Sequence, residues 1–230
     1  MLERVRSAAG PVLEVVPDPG RVDEIALLAG SFDPITVGHE ALAAAALRRV
    51  GAVVLVYSRR TLPKEGGAAP PLLDEEQRLE VLLSFCRNRP GHAVGVTSHG
   101  LLAEHVDAAV GRFPQARIAL VAGSDKVLQL LDPKWYAADR RDVVLDALFR
   151  RARMLYAERS GEEGAVEQAL SLARNRAWRD RFERLAELPP SVAGVSSRRV
   201  REAVARGRDV RGLVPRETFE ALSALGLVGR

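Results

Sequence analysis

Apolar residues fall along the chain in two rhythms. Short continuous runs at residues 25–29, 53–57 and 118–122 read as buried strands. Between them, apolar positions recur at three- and four-residue spacing and read as helices. His39, Leu42, Ala43, Ala46, Leu47 and Val50 share one stripe, and Leu79, Leu82, Leu83 and Cys86 share another. The second stripe follows Asp74-Glu75-Glu76-Gln77, an acid and an amide spaced as a capping box, with Arg78 next to it as a structural residue. A weaker alternating strand covers 92–97, a helix 101–110, and another helix 127–131. A strand-helix-strand unit within roughly thirty residues implies a parallel pair joined right-handedly. The predicted fold is α/β, a Rossmann-like doubly wound parallel sheet with C-terminal helices.

Outside that alternation the pattern weakens. Residues 1–23, with Pro11, Pro17, Pro19 and Gly20 around a short apolar run, read as an N-terminal extension ahead of the first core strand. Residues 24–230 read as a single domain. Within it, residues 160–188 are highly charged and their apolar positions irregular. They are expected to form one or two helices packed outside the sheet, as a lid or an oligomer contact. Pro189-Pro190 breaks this stretch, residues 192–195 return as a short strand, and a helix opens at Ser196-Ser197.

Composition narrows the class. No apolar run is long enough to span a bilayer and no signal sequence opens the chain, so a soluble cytoplasmic protein is expected. A single cysteine, Cys86, excludes an internal disulfide framework and sits at helical spacing as a packed residue. The net charge of +4 conceals a gradient, because residues 140–216 hold 18 arginines against 11 acidic residues. Such a surplus attracts a nucleoside triphosphate or a nucleic acid, or simply solvates helices. Aromatic residues make up 5% of the chain, which leaves little for base stacking and makes nucleic acid an unlikely partner.

The candidate chemistry gathers at strand-to-helix crossings. Gly30-Ser31-Phe32-Asp33-Pro34-Ile35-Thr36-Val37-Gly38-His39 joins the first buried strand to the first helix. A helix N-terminus there offers orphan N–H groups and a partial positive charge to phosphate, and Gly30 and Gly38 let backbone approach it. Asp33-Pro34 makes a stiff turn. Thr36 and His39 place a hydroxyl and an imidazole beside the phosphate site, suited to positioning and charge stabilisation because neither has an activating base beside it. Gly123-Ser124-Asp125 repeats the arrangement after the strand at 118–122, where Asp125 either meets a ribose or caps the helix. Arginines in the first turn after Ser196 oppose the helix dipole unless an anion binds there, and Arg198, Arg199 and Arg201 point to phosphate. Lys64 falls in the polar loop at the carboxyl end of the second strand, where open α/β sheets bind ligands. His92, His99 and His105 lack the carboxylate or cysteine pattern of a zinc site and read as surface or loop residues, so Mg²⁺ held through nucleotide phosphates is the expected metal.

The decapeptide resembles the Gly-x-Phe-Asp-Pro-x-(His/Thr)-x-Gly-His signature of the nucleotidyltransferase superfamily that includes the nicotinate/nicotinamide mononucleotide and pantetheine-phosphate adenylyltransferases, with Thr36 at the two-choice position. Ser196, Ser197, Val200 and Arg201 are similar to that superfamily's Ser-Ser-(Thr/Ser)-x-(Ile/Val)-Arg motif, which clamps the triphosphate; Arg198 replaces the usual hydroxyl residue. Gly123-x-Asp125, a Leu-rich helix, Trp135-Tyr136, a helix around residues 143–148 and a strand ending in Glu158-Arg159-Ser160-Gly161 resemble the central part of the mononucleotide enzymes. There the tryptophan stacks on the pyridine ring and a loop lysine contacts phosphates. The resemblance covers most of residues 24–228.

That resemblance implies adenylyl transfer from ATP to nicotinate or nicotinamide mononucleotide with release of pyrophosphate, in NAD biosynthesis. It gives His39, Thr36, Lys64 and Arg201 catalytic roles. It assigns Gly30, Ser31, Phe32, Gly38, His39, Gly123, Asp125, Ser196, Ser197 and Arg201 to the nucleotide, and Trp135 and Lys64 to the phosphorylated acceptor. Thr36 and Gly100-Leu101-Leu102-Ala103-Glu104 are closer to the pantetheine-phosphate pattern, which stays open as an alternative. A non-catalytic nucleotide- or RNA-binding module is the reading from another class. A homo-oligomer is compatible with every one of these.

Overall fold

The computed structural model describes residues 2–58, 71–137, 139–159 and 161–229. Five parallel strands form its centre: β2 (Glu24–Gly30), β3 (Ala52–Ser58), β4 (His92–Thr97), β5 (Arg117–Gly123) and β6 (Ala152–Ala157). They are flanked by β1 (Leu13–Val16), antiparallel to β4, and β7 (Phe182–Arg184), parallel to β6. The order is β1-β4-β3-β2-β5-β6-β7. Successive side chains of the central strands enter opposite layers, so these strands are apolar on both faces, as a covered parallel sheet requires.

Residues Ala26, Leu28, Val53 and Leu55 face a layer built from α1 (Leu2–Arg6), α2 (Val37–Leu47), α3 (Glu75–Cys86) and α10 (Arg216–Ala224). Ile25, Leu27, Val54 and Val56 face the other layer, built from α4 (Leu102–Arg112), α5 (Ser124–Leu131), α6 (Arg141–Arg151) and α7 (Ala165–Ser171). The one-turn helix α8 (Pro190–Ala193) and α9 (Ser197–Ala205) complete the α-helices among the described residues, and Val200, Ala203, Val210 and Val214 form a small separate core around α9. Helix starts follow local chemistry. The Asp74 carboxylate accepts from Gln77 N–H at 2.8 Å while the Gln77 amide oxygen accepts from Asp74 N–H at 3.0 Å, which opens α3 where the sequence places a capping box.

The chain runs outward from β2 through β3 to β4, then crosses back over β2 to β5 and on to β6. The crossover puts a topological switch point between β2 and β5, whose carboxyl ends carry the Gly30 and Gly123 corners. Ligands of doubly wound sheets bind in the crevice at this point.

Four expectations are corrected. The apolar run of the N-terminal extension is an edge strand of the main sheet, with Leu13 paired to Thr97, and Val5 of α1 is buried in the core. Residues 160–188 do not all lie outside the sheet: Val166, Leu170 and Trp178 are buried, and Phe182 pairs with Met154 in β7. Their apolar spacing is irregular because a helix, a 3-10 segment (Ala173–Arg181) and a strand share it. Residues 192–195 are helix and turn, since Pro190 starts α8 and Val192 and Ala193 N–H groups are satisfied locally by Pro189 O at 2.9 and 3.0 Å. His105 is buried: its Nε2 lies 2.9 Å from His99 O, and burial holds its pKa below the ordinary histidine value. Among the described residues no helix is long and apolar enough to cross a membrane.

Candidate active site

The strand-to-helix corner after β2 is built around a reciprocal cap. Thr36 is the N-cap of α2; its hydroxyl accepts from His39 N–H at 3.4 Å, and its own N–H donates to His39 Nδ1 at 3.1 Å. A histidine thus fills the place that glutamate or glutamine takes in an ordinary capping box. Because Nδ1 accepts a backbone proton, the neutral ring carries its own proton on Nε2, and the ring is oriented before any ligand arrives. Phe32 meets the imidazole edge-on with centroids 5.2 Å apart.

The sequence places the Thr36 hydroxyl toward phosphate, but the structure corrects that. Thr36 is fully buried and its Oγ1 lies 2.9 Å from Nδ1, so the hydroxyl acts through the histidine. Gly38 has a packing reason as well: a Cβ there would lie 2.7 Å from Val195 O and 3.1 Å from Val192 O, so its missing side chain lets the 192–195 turn pack on α2. At Gly30 the space is filled by the Phe32 ring, 3.0 Å from a Cβ position.

The sequence presents Asp33 as part of a stiff turn inside the signature; the structure makes it the hub of the site. Its carboxylate is buried, accepts from Leu73 N–H at 2.9 Å and Leu72 N–H at 3.2 Å, and pairs with Arg201 at 3.4 Å and Arg78 at 3.5 Å. Arg201 Nη1 also donates to Asp33 O at 2.9 Å, and Ser197 Oγ donates to Pro34 O at 2.8 Å. The two motifs therefore meet across 163 and 168 residues of sequence at these two contacts, as Val37 N–H donating to Leu213 O (3.1 Å) also ties this loop to the C-terminal segment. Ser196 caps α9 by accepting from Arg199 N–H at 3.4 Å, which leaves its hydroxyl proton for another acceptor. Arg198 is turned outward and pairs with Glu202 at 2.9 Å, and Arg199 is exposed. Of the three arginines, Arg201 alone joins the signature loop among the described contacts.

A cleft opens at the switch point, lined by Gly38, His39, Leu42, Gly123, Ala157, Arg159, Leu188, Val192, Ala193 and Val195. It joins the first crossing to the second. Asp125, in the first turn of α5, accepts from Arg159 Nε at 2.7 Å, and Ser124 Oγ accepts from Arg159 N–H at 2.9 Å. In the sequence Arg159 stands at the tail of a strand; the structure puts it in the lining of the cleft. Ser31 is half-buried beside this corner. Trp135 lies in a one-turn 3-10 helix (Pro133–Trp135) beyond the far end of α5, 40% exposed, with Lys134 Nζ 5.3 Å from its ring centroid. The structure does not bring it into the lining of the cleft among the described residues. Lys64 lies outside the described residues.

Arg89 braces the corner from behind, donating to Glu40 at 2.7 Å and Glu217 at 3.1 Å and so tying α2 to α10. No group of three His, Cys, Asp or Glu that could hold a metal occurs among the described residues, and the oxygens of Asp33 are taken by N–H donors.

A doubly wound sheet, a histidine presented at a helix N-terminus over the switch point and a cleft that Arg159 lines with it define a nucleotide-handling α/β protein. Comparison places it more narrowly: residues 27–203 match the cytidylyltransferase-like family, and the chain belongs to that family. It is 31% identical over 212 residues to a probable nicotinate-nucleotide adenylyltransferase of Anaeromyxobacter dehalogenans (strain 2CP-1), covering 89% of this chain and 96% of that one. A probable nicotinate-nucleotide adenylyltransferase of Bordetella avium is 28% identical over 207 residues, covering 88% and 96%. In fold, the chain is similar to Plasmodium falciparum nicotinic acid mononucleotide adenylyltransferase complexed with APC, with a TM-score of 0.61 at 14% identity over 89% of this chain and 96% of that one.

Proposed function

We propose that this protein transfers the adenylyl group of ATP to nicotinate mononucleotide, or its nicotinamide counterpart, and releases pyrophosphate. The observation that carries the reading is His39, held by the α2 capping box with Nδ1 turned to Thr36 N–H, which lines the switch-point cleft together with Arg159. The 31% identity to a relative of that name over nearly its whole length supports it.

The acceptor's ionised phosphate oxygen attacks the α-phosphorus of ATP in line. The new oxygen–phosphorus bond forms as the bond to the bridging oxygen of pyrophosphate breaks. No protein nucleophile is required, so positioning and charge neutralisation carry the catalysis. His39 donates from Nε2 to phosphate oxygens as charge develops, and Thr36 keeps it aimed. Arg201, with the hydroxyl of Ser196 and the free N–H groups opening α9, holds the departing phosphates, while Ser197 fastens α9 to the signature loop. Gly30, Ser31, Phe32, Gly38 and Gly123 shape the nucleotide's floor, and Asp125 with Arg159 faces its sugar or the acceptor phosphate. Mg²⁺ bound to the nucleotide phosphates neutralises them when present. Trp135 is the acceptor's stacking platform in this reading, and Lys64 a phosphate contact; α5 alone puts about 12 Å between Trp135 and the Gly123 corner, so the acceptor would extend along that helix.

The test is pyrophosphate release with Mg²⁺ and ATP against nicotinate mononucleotide, nicotinamide mononucleotide and phosphopantetheine, with His39→Ala alongside. Release with a pyridine mononucleotide, lowered about 10²- to 10³-fold in His39→Ala, is expected. Release with phosphopantetheine alone would replace the acceptor, and nucleotide or RNA binding without release would replace the class.

A further inference from the structure

We infer that Asp33 is a positioning residue that couples the triphosphate arm to the rest of the site. This rests on the transfer reading above. Four connections meet on one side chain: Arg201 of α9, Arg78 of α3, and the N–H groups of Leu72 and Leu73 just ahead of α3. Asp33 and Arg78 are buried and Arg201 is largely covered, with side chains 6%, 10% and 16% exposed respectively.

The charge count is unequal, one carboxylate between two guanidinium groups. In a buried setting that imbalance is costly unless an anion joins it. The Nε atoms of Arg201 and Arg78 are both buried without a hydrogen-bond partner among the described residues. Arg201 gives Nη1 to Asp33, through the backbone carbonyl at 2.9 Å and the carboxylate at 3.4 Å, so its guanidinium plane is set by Asp33 before a phosphate is present. The Arg78 Nη2 that lies 3.5 Å from Asp33 also donates to Leu73 O at 2.7 Å, and its guanidinium lies over the Tyr57 ring, 5.4 Å from the centroid, so it anchors the carboxylate rather than reaching for ligand. A polyanion taken by Arg201 loads Asp33, and Asp33 passes that load to the Leu72–Leu73 backbone and to α3. The carboxylate does not touch the reacting atoms in this arrangement; it acts through Arg201.

The experiment is a double-mutant cycle of Asp33→Asn and Arg201→Ala, read both as turnover and as the rise in Tm on adding Mg²⁺-ATP. Asp33→Asn keeps an acceptor for Leu73 N–H but removes the charge. We expect it to lower kcat about 10- to 100-fold and to shrink the ATP-induced rise in Tm. In the Arg201→Ala background the same substitution should cost little, because the residue it works through is gone. Additive losses, or an Asp33→Asn protein that matches the unsubstituted one in both readouts, would overturn the inference. If Asp33→Asn fails to fold, hydrogen exchange on the unsubstituted protein decides: Leu72 and Leu73 amides should exchange more slowly with Mg²⁺-ATP, and should not respond in Arg201→Ala. No change in the unsubstituted protein would sink the coupling. If no acceptor on the panel is turned over, the transfer reading fails while the ATP-induced Tm cycle still tests Asp33.

Discussion

Replacing Thr36 by valine separates the two jobs that meet at the α2 N-terminus. The substitution keeps the side chain's shape at a fully buried position, so it opens no cavity, and what it changes is a hydroxyl for a methyl. It deletes one acceptor, for His39 N–H at 3.4 Å, and one contact to Nδ1 at 2.9 Å. Loss of an N-cap hydroxyl costs about 1 kcal/mol. Weakening the hydrogen bonding of the part-buried His39 N–H brings the total to about 1–2 kcal/mol. For a chain of this size that is a fall in Tm of about 2–8 °C. Catalysis should suffer less, because the Thr36 backbone N–H still donates to Nδ1 at 3.1 Å and keeps the proton on Nε2. If the looser ring forfeits about 1 kcal/mol in the transition state, turnover falls about fivefold. Thermal unfolding and pyrophosphate release, measured on Thr36→Val and His39→Ala together, give the comparison. An unchanged Tm with turnover as low as that of His39→Ala would refute the reasoning, since it would mean that the hydroxyl meets the phosphates itself.

Gly38→Ala should cost about 1–3 kcal/mol and raise the KM for ATP, because its Cβ would stand 2.7 Å from Val195 O and displace a wall of the cleft; a neutral effect on both would show that the turn yields freely. Burial depresses the pKa of His105, so the unfolded chain takes up a proton more readily than the folded one. The stability it contributes is therefore full above the ordinary histidine value of about 6.5 and is lost as pH falls through that value toward the depressed one. His105→Gln should flatten the slope of unfolding free energy over that window, and an unchanged slope would remove His105 from the account. Cys86 is 3% exposed and its thiol is pushed up to about 12 by burial. It should react with an aromatic disulfide reagent only at the rate of unfolding, and rapid labelling of the native protein would contradict that burial.

Much of this molecule was decided by local chemistry and was therefore legible in the chain. The apolar runs at 25–29, 53–57 and 118–122 became the central strands because continuous apolarity suits a sheet covered on both faces. The Asp74–Gln77 box opens α3 because both bonds lie within three residues. His39 could be singled out because a glycine-rich crossing, a hydroxyl and an imidazole stand together in ten residues. What escaped was non-local. Asp33 gains its importance from Arg78 and Arg201, 45 and 168 residues away, and Arg159 gains its place from the adjacency of β5 and β6. The 160–188 stretch and residues 192–195 misled because short irregular segments take their form from whichever sheet edge or turn is within reach. The sequence alone determined the doubly wound architecture and the histidine corner, since period and capping act over a few residues. Only the tertiary structure decided that the Thr36 hydroxyl is spent on the histidine and that one buried carboxylate joins the two ends of the site, because hydrogen-bond partners distant in the chain are chosen by packing.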